Sequence, residues 1–317
     1  MMARPLLIDT DGGTDDALAI ALLVALGRAP DYVTTVFGNV GLDQATDNIL
    51  ATLAILGCTA PVHAGADRPL IGAAIDASDV HGTDGLGGAP RPAKTASIVS
   101  RNGVDFLRAM LRQAARAETP IDILALGPLT NLALAFRAEP AIAAGVGELV
   151  IMGGTCFGRG NVTGAAEFNI LADPEAASIV LSLPLPTVVV PWEPCVEAAL
   201  SGSDLDALFA RTGSGPRQSF LKALADQLRR VSIAYGEGDR LSPADPLAAG
   251  VLIERGIATR TLRAGVGVEC GGAYARGATI LDLPGKWNLP LIETVEHVDA
   301  AAFKALFEQA IVALADD

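Results

Sequence analysis

The chain has 317 residues, half of them hydrophobic, which is enough to bury a large core in one large domain or two small ones. Acidic residues outnumber basic ones by 36 to 23, for a net charge of −13. Nucleic-acid binding depends on neutralising phosphates, so this balance disfavours a polyanionic partner and favours a small neutral substrate or a cation.

In chain order, strands are predicted at Pro5–Thr10, Tyr32–Phe37, Ile121–Ala125, Glu148–Met152 and Thr187–Val190. Helical patterns at Ala17–Leu26, Asp43–Leu56, Gly103–Ala117, Leu129–Arg137 and Pro174–Leu183 alternate with them. That alternation argues for βαβ units, and the unbroken apolar strands argue for a parallel sheet covered on both faces. Further on, Phe220–Ala234 reads as an amphipathic helix and Ala300–Ala315 as a C-terminal one, with more strands at Val266–Glu269, Thr279–Leu283 and Leu291–Val295. Gly72–Pro92, rich in Gly and Asp, reads as a long loop over one edge of the sheet, near its mouth. The expected fold is a single α/β domain with a Rossmann-like open, mostly parallel sheet and helices on both faces. Ligands of such sheets bind beyond the carboxyl ends of the strands.

Cys58, Cys156, Cys195 and Cys270 lie far apart with no CxxC pair, which disfavours a disulfide framework or a zinc site and leaves buried, reduced thiols as the expectation. No secretory signal pattern precedes Leu6, and the apolar runs are interrupted by Gly, Pro or charge. A cytoplasmic protein without a transmembrane helix is therefore expected.

The strongest local signal is Asp9-Thr10-Asp11-Gly12-Gly13-Thr14-Asp15-Asp16, four acids between a strand and a helix. Unpaired, they repel one another and raise each other's pKa. A divalent cation relieves this, and oxygen ligands without a nearby His or Cys favour Ca²⁺ or Mg²⁺. Helix capping by Thr14 and dipole-favoured acids account for one or two of these residues, but not for Asp9 and Asp11. An aspartate-nucleophile phosphatase also begins with a strand and Asp-x-Asp, but here two extra acids follow and no later Lys is placed to hold a phosphate.

This segment resembles the N-terminal signature of the inosine-uridine-type nucleoside hydrolases, which usually carries Pro at the position of Gly12. The resemblance continues through Thr34–Val40, His81–Gly87, Gly127–Ala133, Met152–Gly154, Gly160-Asn161, Ala166–Asn169, Asp173–Ala177 and Asp245–Ala248, over about residues 5 to 312. It implies one nucleoside hydrolase domain over residues 1–317 and calcium-dependent cleavage of a ribonucleoside to base and ribose. It also implies that Asp11, Asp16 and Asp245, with the backbone carbonyl of Thr130, hold Ca²⁺. Asp15, Asn169 and Asp245 would hold the ribose diol, Asn161 and Glu167 the 5′-hydroxyl, and Asn39 would line the site. Asp11 would be the general base.

Hydrolysis of an N-glycosidic bond passes through an oxocarbenium-like sugar that carboxylates stabilise, and a metal-activated water attacks it. Many members of the family have a His directly before the last metal aspartate, where this chain has Ala244. The expected substitutes are His81 as an acid of useful pKa, or stacking of the base on an aromatic. Trp192 leads that second group, before Tyr235, Phe157 and Trp287, while His63 and His297 read as structural. The remaining alternatives are a hydrolase of another N-riboside, such as nicotinamide riboside or a modified nucleoside, and a non-catalytic nucleoside- or ribose-binding module. The expected partner is a small ribonucleoside rather than nucleic acid or membrane, and a homodimer or homotetramer is expected.

Overall fold

The computed structural model describes residues 3–93 and 95–315. The first half alternates strand and helix: β1 (Leu6–Thr10), α1 (Thr14–Ala25), β2 (Tyr32–Thr35), α2 (Leu42–Leu56), β3 (Val62–Ala64), the single turn α3 (Ser78–His81), α4 (Gly103–Ala117), β4 (Ile121–Ala125), α5 (Thr130–Ala138) and β5 (Val146–Met152). Next come α6 (Phe168–Ala172), α7 (Pro174–Leu181), β6 (Thr187–Val190), α8 (Trp192–Glu197), β7 (Leu200–Ser201), α9 (Gly202–Ala210), α10 (Pro216–Ala234), β8 (Arg240–Leu241) and α11 (Ala244–Ile253). The chain closes with β9 (Ala258–Val268), β10 (Thr279–Asp282), β11 (Ile292–Val298) and α12 (Ala300–Ala313).

Among the described residues nine strands form one sheet in the order β10-β9-β11-β6-β5-β4-β1-β2-β3. Every pairing from β3 across to β11 is parallel, and β9 and β10 extend that edge antiparallel. Side chains alternate across the sheet, so each strand feeds two cores. Leu6, Ile8, Val33, Leu124, Val150 and Val188 pack with α1, α2, α10, α11 and α12. Leu7, Ile123, Leu149, Ile151 and Val189 pack on the other face with α4, α5 and α7. The expected single α/β domain is what forms. None of the described helices is long and apolar enough to cross a membrane.

Several boundaries differ from the sequence reading. β9 begins at Ala258 rather than Val266, because its first half is a partly exposed antiparallel strand carrying Arg260 and Arg263. The 72–92 segment follows the edge strand β3 and reaches the cavity through Ala77, Val80 and His81. It turns inward at α3 and brings His81 against the start of α1, where Thr14 N–H donates to His81 Nδ1 at 3.2 Å.

The β1–α1 turn depends on glycine at two points. Gly12 has φ +70°, and a side-chain carbon there would lie 2.6 Å from the Ala45 carbonyl oxygen. Proline, with φ fixed near −65°, cannot adopt this conformation, so the departure from the family's usual Pro changes the shape of this turn. Gly38 lets its backbone approach the Asp11 carboxylate closer than any side chain would permit.

Gly12→Ala is expected to destabilise the protein by about 2–4 kcal/mol, from left-handed strain plus the clash with Ala45. Gly27→Ala, at φ +74° with nothing within 4 Å, should cost only the conformational part, about 1 kcal/mol. Thermal denaturation of both variants checks this, and equal melting temperatures would show that the clash has no weight.

Candidate active site

The carboxyl end of β1 is where the acids meet. Strand alternation sends Asp9 toward α5, where Thr34 Oγ1 and Asn131 Nδ2 donate to its Oδ1 at 2.5 and 2.7 Å. Its Oδ2 is buried without a partner. Asp11 is clamped by Asn39, whose backbone N–H and Nδ2 reach its two oxygens at 2.9 and 2.8 Å. Asp16, in the first turn of α1, accepts from Thr10 Oγ1 and, at 2.8 Å, from Gly13 N–H. Asp245 enters from the first turn of α11, which packs beside α1.

One oxygen each from Asp15, Asp16 and Asp245 lies within 4.8 Å of the others. Asp15 Oδ1 and Asp245 Oδ2 are buried and have no hydrogen-bond partner. Asp11 is fully buried beside Asp16 and is not among the residues lining the cavity, which include Asp15, Asn39 and Asp245. Burial holds Asp11 well above the usual carboxylate range, and the neighbouring Asp16 pushes it further. Burial, then the charges of Asp15, Asp16 and Asp11, does the same to Asp245. Asp16 is raised by burial and Asp15, and burial lifts Asp15 and Asp9 to about 6. Converging carboxylates with orphaned oxygens and disfavoured charge fit a divalent cation, and the all-oxygen donor set suits a hard one.

Above this floor opens a cavity of about 230 Å³. It collects Asp15, Asn39, His81, Asn161, Glu167, Asn169, Trp192 and Asp245, residues from across the chain that the sequence had singled out. Glu167 caps α6, accepting from the backbone N–H groups of Gly154, Asn169 and Ile170, and burial lifts it to about 7. Asn169 Nδ2 donates to the carbonyls of Leu126 and Met152, which leaves its Oδ1 for a ligand hydroxyl. Asn161 Oδ1 accepts from Phe168 N–H at 3.0 Å.

Three expectations need correction. Thr130 does not reach the cavity: it begins α5, and its hydroxyl donates to Asp173 at 2.6 Å. The residue of that turn lining the cavity is Leu126, four residues before α5 begins. His81 does not have a useful acid pKa. Burial lowers it to about 4, and its Nδ1 faces the Thr14 backbone N–H and hydroxyl, so it is a neutral imidazole. Phe157 and Trp287 are exposed and outside the cavity wall, whereas Trp192 and Tyr235 belong to it. As expected, His63 is structural, stacked on Phe106 at 3.7 Å, and His297 sits on the surface beside Glu197. The sequence reading missed Leu228, Val231, Ser232 and Ser242. The helical period of α10 was visible, but not which face it turns to the cavity.

The family model for inosine-uridine preferring nucleoside hydrolases matches residues 6–305. The pyrimidine-specific ribonucleoside hydrolase RihA of Enterobacter sp. (strain 638) is 35% identical over 284 residues, covering 89% of this chain and 88% of that protein. Among solved structures, a plant nucleoside hydrolase (PpNRh1) superposes with a TM-score of 0.90 at 29% identity, covering 98% of this chain and 99% of that one. An inosine-guanosine nucleoside hydrolase superposes with a TM-score of 0.87 at 30% identity, over the same shares of the two chains. Fold and site thus define an enzyme that hydrolyses N-glycosyl bonds. The chain belongs to the inosine-uridine preferring nucleoside hydrolase family, and it converts ribonucleosides to free base and ribose.

The raised carboxyl pKa values make metal-free stability depend on pH. A carboxyl with a folded pKa above its unfolded value binds more protons when folded, so its contribution falls as pH rises above about 4 and through the folded value. In excess chelator the melting temperature is expected to drop from about pH 4 to 7, as Asp9 and Asp15 titrate near 6 and Asp11 and Asp245, raised by the same burial, add to the loss. Excess divalent cation should abolish the drop. Scanning calorimetry at stepped pH reads this directly, and a flat or rising profile in chelator would refute it.

Proposed function

We propose that the cation is Ca²⁺, held by Asp11, Asp16 and Asp245 with the turn carbonyl at Leu126 in the place expected of Thr130. The supporting observation is that the orphaned oxygens of Asp15 and Asp245 converge under a cavity whose other polar groups suit a ribose. Bound calcium supplies a polarised water and offsets the charge of the carboxylates. Asp15, Asn169 and Asp245 hold the 2′- and 3′-hydroxyls, and Asn161 and Glu167 the 5′-hydroxyl. With three hydroxyls fixed, C1′ would be set against an attacking water, and Asp11 would accept the proton that water sheds. Asn39 keeps Asp11 oriented. The carboxylates surrounding the sugar stabilise its developing positive charge.

The substrate in this reading is a small ribonucleoside, which the acidic composition and enclosed cavity favour over nucleic acid or a membrane surface. The proposal extends to a cytoplasmic homodimer or homotetramer, the latter open to light scattering.

Chelation should abolish ribose release, and Ca²⁺ should restore it. Full activity in verified metal-free protein would sink the calcium assignment. Asp11→Ala should lower kcat by about 10³-fold or more while leaving the fold intact by circular dichroism. Near-normal turnover in that variant would show that the base lies elsewhere. Uridine should exceed 2′-deoxyuridine in kcat/KM by about 10⁴-fold, because the missing hydroxyl leaves buried partners unpaired. Comparable rates would remove the diol from the site.

A further inference from the structure

The cavity has two chemically different ends. Its floor is acidic and amide-rich. The apolar part of its lining includes Leu228 and Val231 of α10 and Ala244 at the start of α11. Two hydroxyls interrupt that part. Ser232 Oγ and Ser242 Oγ are both buried, and neither has a hydrogen-bond partner. A serine inside a helix ordinarily donates to the carbonyl four residues back. Ser232, 7% exposed and within α10, does not. Ser242 follows β8, and its backbone carbonyl accepts from Ala244 N–H at 3.0 Å while its hydroxyl stays free. Buried unpaired hydroxyls are destabilising. Both residues line the cavity, where an entering ligand can supply the missing partner.

This inference rests on the placement of ribose at the acidic floor, which leaves the α10 wall to the base. That wall holds no proton donor suited to a leaving base. Ala244 has no titratable group, and His81 turns its Nδ1 to the Thr14 backbone N–H and hydroxyl. At the rim, the Tyr235 hydroxyl donates to Asp79 at 2.7 Å and Glu237 faces Arg240 at 3.2 Å. When the C1′–N bond breaks, its electron pair moves to the base nitrogen and spreads onto any exocyclic oxygen. The water oxygen bonds C1′, and the proton the water sheds balances the one the departed base takes up, giving ribose and neutral base. A hydroxyl donating to such an oxygen is held more strongly as negative charge grows there, so it favours the transition state over the bound nucleoside.

We propose that Ser232 and Ser242 hydrogen-bond the exocyclic oxygens of an oxo-bearing base, of the uracil or hypoxanthine kind, and stabilise its departure where other members of the family have a histidine. They would select oxo-bases over adenine, which has no such oxygen.

The test compares uridine, inosine, adenosine and 4-nitrophenyl riboside, in the presence of Ca²⁺, on the wild type, Ser232→Ala, Ser242→Ala and Ser232→Thr. Nitrophenolate carries its own charge and needs no such donor. Wild type should favour uridine or inosine over adenosine by about tenfold or more. Each alanine variant should lower the ratio of kcat/KM for the favoured nucleoside to that for 4-nitrophenyl riboside by about tenfold, chiefly through kcat, and Ser232→Thr should keep it. Unchanged ratios in both alanine variants, equal loss on every substrate, or adenosine cleaved as well as the oxo-nucleosides would overturn the proposal. Failure of the underlying reading looks different: wild type would release ribose from no nucleoside at all, which removes this proposal with it.

Discussion

Four carboxylates, Asp11, Asp15, Asp16 and Asp245, crowd beyond the end of a strand that also buries Asp9, and the repulsion among the four is the constraint around which the rest of the site is organised. Asp9, Asp11, Asp15, Asp16 and Asp245 are largely withdrawn from water, and burial opposes the charge of each. At effective protein dielectrics, like charges a few ångströms apart cost several kcal/mol. The chain meets this with fixed donors rather than cationic side chains. Asn39 grips Asp11, Asn131 and Thr34 hold Asp9, and the Gly13 N–H with Thr10 holds Asp16. An amide donates without cancelling charge, so the cluster keeps its demand for a cation. A lysine in the same place would have satisfied that demand permanently.

The motifs also divide between working and supporting roles. Asp173 lies in the most specific stretch of the sequence, yet it caps α7 and ties down Thr130 and Leu70. Asn131 crosses from α5 to Asp9 and the Thr35 carbonyl while accepting from Ala66 N–H. Neither lines the cavity. Both fix the turns whose tips do, so sequence motifs of this strength mark a framework as much as a reaction centre.

Legibility followed physical scale. β4, β6 and α4 match their predicted spans because they are short apolar runs or strongly two-faced helices. β3 escaped because three residues carry no periodicity. α11 escaped for the opposite reason: apart from Asp245, Ala244–Ile253 is apolar all round, as a helix so fully buried must be, and shows no face. The acidic floor could be read because like charges crowded along a chain demand an explanation in three dimensions. The base-side wall could not, since a serine's significance depends on whether anything bonds its hydroxyl. Thr130 was misplaced because a motif fixes a turn but not which of its residues points inward.

The pairing of α1 with α11 has a consequence for how the molecule comes to exist. β1 takes its place between β2 and β4, so four of the five acids are positioned by the first 130 or so residues. The fifth arrives with α11, after about three quarters of the chain has been made. A growing polypeptide that compacted early would bury those four carboxylates before their last neighbour and the covering helices α10 and α12 had emerged. Parallel sheets with distant partners close slowly, and here the delay is useful. A chain without its C-terminal third would lack Asp245 and the helices α10, α11 and α12 that pack on α1, so the reaction centre is complete only when the fold is.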